Sequence, residues 1–193
     1  MSESQPAPAL PAPDTAAAAE LWQAYMAAHP HAAAAAPEYT VEYFGDSPAL
    51  AEELLALVIS GRKRATAELV SEFLHRDDRL PRIGSHWIAC DSIGAPRIVI
   101  RSTEFRVGPS TSVDAAFAFD EGEDDRTLES WVREHRAYWS RVCAARGAVW
   151  DPAEDVVFER FSVVWPPEVA DDIGSAPGSA LNHASVAATA PGT

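Results

Sequence analysis

"HWIACDSIGAPRIVIRSTEFR" spans His86–Arg106 and sets two runs of β-branched and aromatic residues around one turn. His86–Asp91 and Arg97–Arg106 read as strands, because such side chains fit a pleated, half-buried surface. The intervening "SIGAP" (92–96) carries the Gly and Pro that punctuate a hairpin connection. Strand side chains alternate between faces. Val99, Arg101, Thr103 and Phe105 are therefore expected on one face, with Ile98, Ile100, Ser102 and Glu104 on the other. A third run, "DVVFERFSVVW" (Asp155–Trp165), has the same texture. This near-alternation fits the wall of a small barrel wetted on one side.

Helical signals surround these strands. Residues 15–28 place Leu21, Tyr25 and Ala28 on one helical face, and Pro30 stops that helix. "HPHAAAAAP" (29–37) reads as a linker, since Pro30 and Pro37 bracket a segment too short to hold a helix alone. The signals sharpen at Ser47, an N-cap residue followed by Pro48 at the first helical position. Leu50, Leu54, Leu57 and Val58 then form an apolar stripe, and Gly61 supplies the left-handed residue just past the end. A third helix fits 126–146, with Leu128, Trp131, His135, Tyr138, Val142 and Cys143 at helical spacing. The succession of helices, strands, helix and strand is an α+β pattern, with the strands curled into a small barrel.

The 193 residues suit one domain plus tails. Residues 1–14 and 168–193, rich in Ala and Pro, are expected to be disordered tails, and 15–37 an N-terminal helix and linker. No run of about 18 apolar residues predicts a membrane span. The start "MSESQPAPAL" lacks the basic region and apolar run of a secretory signal. With only two cysteines, Cys90 and Cys143, a reducing cytoplasmic location is expected.

The net charge of −14 is unevenly spread. Residues 1–60 hold 8 acidic and no basic side chains, whereas 61–110 hold 9 basic and 6 acidic ones. Phosphate neutralisation drives duplex binding, so the chain is not expected to bind duplex DNA or long RNA avidly without help. One local cationic zone still suits a nucleotide or a short single strand.

That zone opens with "GRKRAT" (Gly61–Thr66). Arg62, Lys63 and Arg64 gain from the dipole at a helix C-terminus. They also permit chemistry. Flanking guanidiniums would lower the pKa of Lys63, and a neutral lysine could then take a proton from the Thr66 hydroxyl. "FDEGEDD" (119–125) is the second feature. It is either a solvated acidic loop favouring the next helix N-terminus, or the source of a general acid/base or magnesium-type ligand in Glu121 or Glu123. It lacks the Asp/Asn ladder of a calcium loop, and no His or Cys spacing suggests zinc. His135 reads as a packing residue. Trp87, Trp131, Trp139 and Trp165 read as core, though one at a pocket mouth could stack on a base.

Taken with "ELLALVISGRKRAT" (53–66), "IGSHWIACDSIGAPRIVIRST" (83–103), "AFAFDEGEDDRTLESWVREHRAYWS" (116–140) and "VVFERFSVVW" (156–165), the chain resembles the ASCH domain family over about 38–167. The resemblance implies a PUA-like fold, a small, partly open β-barrel flanked by helices, with a cleft for RNA or a nucleoside. Some relatives look like amidohydrolases acting on acetylated cytidine, using a Lys and a Thr from a Gly-x-Lys-x-x-Thr element with a downstream Glu. The matching residues here are Lys63, Thr66 and Glu121. With its extra N-terminal helix the chain looks closer to longer bacterial members, a group associated with ribonuclease activity. The expectation is therefore a protein that binds and hydrolyses a modified nucleoside or short single-stranded RNA. Lys63, Thr66 and Glu121 would be catalytic, with Arg62, Arg64, Glu123 and Trp87 contacting substrate. No cofactor is expected for amide hydrolysis, whereas a ribonuclease could use a divalent metal. A non-catalytic RNA-binding module is the third reading.

Overall fold

Ten of the fourteen residues from Pro96 to Pro109 pair with a single partner strand, and that long ladder is the spine of the molecule. A computed structural model describes residues 9–171; most of the two expected tails lies outside them. Five strands form one mixed sheet: β1 (Tyr39–Glu42), β2 (Ala65–Leu69), β3 (His86–Cys90), β4 (Pro96–Pro109) and β5 (Asp155–Trp165). Their order is β1-β3-β4-β5-β2, with β1 parallel to β3 and the other pairings antiparallel. The sheet is open, with β1 and β2 at its edges. The helices are α1 (Thr15–Ala28), α2 (Pro30–Ala35), α3 (Pro48–Ile59), α4 (Val70–Arg76), α5 (Ala115–Glu121) and α6 (Leu128–Ala145). The fold is α+β, as expected. Among the described residues no helix is long and apolar enough to cross a membrane.

Simple alternation fails along β4. Ile98, Val99 and Ile100 are all buried, while Thr103 and Glu104 are both exposed. The register shifts at Val99/Ile100 and again between Ser102 and Glu104, and each irregularity re-aims the side chains that follow. The upper sheet is also covered on both faces. Ile98 and Ile100 join Ala89, Phe161 and Val163 in a cluster with Leu54, Leu55 and Val58 of α3. Val99 joins Ile88 and Val164 against Trp22 and Tyr25 of α1.

Helix α1 buries Ala18, Trp22 and Tyr25, and Ala28 is exposed. The helix is turned by its largest side chain: the Trp22 ring sits 4.9 Å from Tyr39 and 5.1 Å from His86. The segment expected as a linker contains a short helix, α2, whose Ala33 is buried against the α1 cluster. Packing supplies what an isolated six-residue helix lacks. Ahead of α1, Tyr43 Oη donates to Pro11 O at 2.8 Å and Asp14 caps the helix.

Helix α3 follows its signals. The Ser47 side chain accepts from Leu50 N, Pro48 opens the helix and Gly61 turns left-handed at φ +82°. Helix α6 is capped by Thr127 and buries Trp131, His135, Trp139 and Cys143, each four residues apart. Trp131, Trp139 and Cys143 pack with Ala65, Leu69, Phe117 and Phe158 in a third cluster at the lower end of the sheet. Both cysteines are free and buried.

Candidate functional site

"GRKRAT" and "FDEGEDD" meet, and Gly122 is the reason. Helix α5 is capped by Asp114, whose side chain accepts from Phe117 N, and it ends at Glu121. Gly122 follows at φ +73°, and a Cβ there would collide with the Arg62 carbonyl and sit 3.0 Å from Lys63 Cα. Only glycine permits both the left-handed turn and this approach. Arg64 N donates to Asp120 O at 2.7 Å, and Arg126 Nη2 donates to Arg62 O at 3.0 Å, which ties the two loops together. The chain reverses at Gly122, so the glutamates on either side of it reach the same cation.

That cation is Lys63, whose side chain is 1% exposed. Its Nζ donates to Glu121 Oε2 at 2.8 Å and to Glu123 Oε1 at 2.5 Å. Glu121 is equally buried, whereas Glu123 keeps 29% of its side chain exposed. The other oxygen of Glu121 accepts from Trp131 Nε1 at 3.0 Å and lies 3.4 Å from His135 Nε2. The His135 ring stacks on Trp131 at 4.0 Å, and its Nδ1 is 3.1 Å from Trp131 O.

These contacts fix the charges. Burial alone would lower the Lys63 pKa, but Glu121 and Glu123 outweigh it and hold it above the ordinary lysine value. Burial would raise Glu121; Lys63 and then His135 outweigh it and hold this carboxyl well below the usual range. Burial raises Glu123 more than Lys63 lowers it, and the adjacent Glu121 charge adds to the rise. Burial opposes a charge on His135, but Glu121 wins and raises its pKa. Lys63 is thus an ammonium ion. The expected neutral amine is corrected, because the guanidiniums meant to lower its pKa turn away. Arg62 Nη2 donates to Asp124 O, and Arg64 donates to Asp171, Val58 O and Lys63 O.

The cluster lies in the wall of a cleft of about 570 Å³ that Thr66, Trp87 and Glu159 also line. Lys63, Thr66, Glu121, Glu123 and Trp87 share this cleft; Arg62 and Arg64 are not among its lining residues. The Lys63 ammonium bonds to the two glutamates and not to Thr66. Phe44 lies 5.8 Å from that ammonium and 4.8 Å from the Trp87 ring, giving the cleft an aromatic wall. Eight carboxylate side chains line it against three cations, Lys63, Arg76 and Arg141. Among the described residues no three His, Cys, Asp or Glu side chains are grouped as a metal site.

Sequence reasoning placed His135 and Trp131 in the core without seeing that both attend Glu121. The helical spacing already put them on one face; what they meet depends on α5, which the sequence reading merged into a loop. Glu159 gave no signal of its own. Its position shows only in the strand register, which sets it directly opposite Thr66.

A family model of the ASCH domain matches residues 40–165, the stretch that carries the sheet and the cleft. The fold is similar to the ASCH domain of Lactobacillus crispatus JV V101, with TM-score 0.72 and 24% identity over 78% of this chain and 96% of that one. It is also similar to protein EF3133 from Enterococcus faecalis V583, with TM-score 0.68 and 27% identity over 78% and 89% of the respective chains. No protein in the comparison with curated proteins matches. The open mixed sheet flanked by helices is the PUA-like fold of these neighbours, and the chain belongs to the ASCH domain family.

Proposed function

We propose that the cleft binds a modified nucleoside, or the exposed end of a short single strand, and hydrolyses an amide on its base. One observation carries this reading: a buried ammonium held by two glutamates, one locked and one partly open, beside Thr66 and an aromatic wall. The roles follow from the contacts. Two acceptors engage Lys63, which leaves its third N–H for a substrate carbonyl. Glu121 is already bonded to Lys63 and Trp131, so it positions rather than transfers protons. Glu123, more exposed and with a raised pKa, is the general base.

Glu123 takes a proton from a water as that water attacks the acyl carbon, and the carbonyl oxygen gathers charge against the Lys63 ammonium. The C–N bond breaks, the amine leaves with the proton from Glu123, and the products are a carboxylic acid and the free nucleoside. Thr66 contributes a hydroxyl that can hold the water or the acyl oxygen. The acidic lining favours an uncharged nucleoside over its 5′-phosphate, and it disfavours the ribonuclease reading, because eight carboxylates facing three cations repel a phosphate.

The test is incubation with N4-acetylcytidine while cytidine and acetate release is followed. Wild-type turnover should fall about 100-fold or more in Glu123→Gln and in Lys63→Ala. No turnover at high wild-type concentration would overturn amide hydrolysis. Cleavage of a labelled single strand that requires Lys63 would favour the ribonuclease, and saturable RNA binding without product the non-catalytic module.

A further inference from the structure

Glu159 is the buried carboxyl of the cleft that this mechanism does not use. It faces Thr66 across the β2–β5 ladder, so the two side chains leave the same face of the sheet. It is 6% exposed and lines the cleft. Ser102 Oγ donates to its Oε1 at 2.5 Å and lies 3.1 Å from Ser85 Oγ, which is itself bonded to the Arg82 backbone. Its second oxygen, Oε2, makes no hydrogen bond among the described residues. No lysine or arginine is paired with it there. The Trp87 indole stands beside it, its buried N–H making no full hydrogen bond but close enough to the Glu159 carboxyl to pull its pKa down, and Phe44 and Phe161 pack against that ring at 4.8 and 6.2 Å.

A buried carboxyl with one anchored oxygen, one free oxygen and a fixed aromatic ring alongside is a prepared acceptor. No side chain holds its second oxygen, so a ligand that supplies an N–H donor there adds a charge-assisted hydrogen bond. Burial raises the pKa of Glu159, with Ser102 and Trp87 opposing, and an arriving N–H donor would favour its ionised form further. An ionised carboxylate only accepts hydrogen bonds, and among base edges it suits the exocyclic amine of cytosine rather than a carbonyl.

We propose that Glu159 and Trp87 form a base-reading subsite in which Glu159 accepts the exocyclic N–H of an amino-bearing pyrimidine and Trp87 lies against the ring. This rests on the proposed function in taking the ligand to be a cytidine-type nucleoside, since adenine also carries an exocyclic amine; it does not require hydrolysis.

Calorimetric titration with cytidine, uridine and the pyrimidin-2-one ribonucleoside tests it. The last of these lacks the exocyclic amine and puts no carbonyl in its place. Wild type should bind cytidine about tenfold or more tighter than either of the others. In Glu159→Leu that ratio should fall below about threefold. If the leucine variant does not fold, Glu159→Gln should weaken cytidine about threefold or more and leave the pyrimidin-2-one ribonucleoside unchanged. Equal wild-type affinities, no binding of any of the three, or an unchanged ratio in the variants would overturn the subsite. Acetylcytidine hydrolysis with no dependence of the ratio on Glu159 would sink the subsite and spare the proposed function. A Glu159-dependent cytidine preference without hydrolysis would do the reverse.

Discussion

Glu121 and Glu159 line one cleft at similar burial, 1% and 6% exposed, yet their charges are governed in opposite ways. Glu121 has the Lys63 ammonium, the Trp131 indole and the His135 ring, and its pKa is held down. Glu159 has Ser102 for a partner, and burial pushes its pKa up. Burial is common to both, so it cannot account for the difference. The number and sign of the partners do. Pairs of groups pushed apart in this way mark a division of labour in a site. On the proposed reading the helical wall would hold fixed charge for chemistry, and the sheet floor an acceptor without a countercharge for recognition.

The strongest blow to this contrast is Lys63→Ala. It leaves two glutamates facing one another without their cation, and removing one partner of a buried pair costs about 3–5 kcal/mol. Urea denaturation should show that loss at neutral pH. Glu159→Gln should act in the other direction, raising stability by on the order of 1 kcal/mol, because it removes a carboxylate that is buried without a countercharge. A destabilisation of Glu159→Gln comparable to that of Lys63→Ala would mean that the two carboxyls are not opposites.

The dependence on pH separates them next. The folded pKa of Glu121 lies below its unfolded value, so its contribution is present above the unfolded pKa and is lost as pH falls through the folded one. That acid limb should be missing in Glu121→Gln. The folded pKa of Glu159 lies above the ordinary 4.5. The folded state therefore binds the proton more tightly, and stability falls as pH rises from about 4.5 through the folded value, then levels. The stability gain of Glu159→Gln over wild type should grow across that window and be smallest at its acid end. Urea midpoints measured from acid to neutral pH check both signs.

Much of the helical wall was legible in the sequence. Ser47, Pro48 and Gly61 marked α3, and a lysine with a Gly-centred pair of glutamates marked the cluster. The charge of Lys63 was not legible, because the sequence shows its neighbours along the chain while the field comes from neighbours in space. Strand β2, "ATAEL", carries a weak β signal and becomes a strand because β5 offers its edge. Glu159 read as an ordinary charge in "VVFERF", since register across a sheet is not written in either strand alone. The bulges in β4 were likewise hidden, and with them the burial of Ile98, Val99 and Ile100 together.

Trp87 sharpens the recognition half of the comparison. Its ring packs on Phe44 and Phe161, so Trp87→Phe keeps an aromatic surface while Trp87→Leu removes it. If Trp87 lies against the base, the leucine variant should lose about tenfold in nucleoside affinity by calorimetry, and the phenylalanine variant less. A loss that falls equally on both variants would point to disturbed packing instead.

The smallest effect is expected at Arg62, which the sequence offered as a substrate contact. Arg62 heads the basic run, yet its guanidinium is solvent-exposed and donates to a backbone carbonyl of the acidic loop. It bonds to neither glutamate of the cluster and does not line the cleft. Arg62→Ala should shift stability by within about 0.5 kcal/mol, as surface substitutions usually do. Nucleoside affinity and turnover should stay within about twofold of wild type, a shift of roughly 0.4 kcal/mol. Arg64 differs, because it bridges the end of α3 to Asp171 while partly buried. Arg64→Ala should cost about 1–2 kcal/mol in urea denaturation without changing which nucleoside is preferred. An Arg62→Ala that weakened binding tenfold would place a cation at the ligand after all. The cleft would then favour phosphate, and the division between a charged wall and an acceptor floor would have to be redrawn around it.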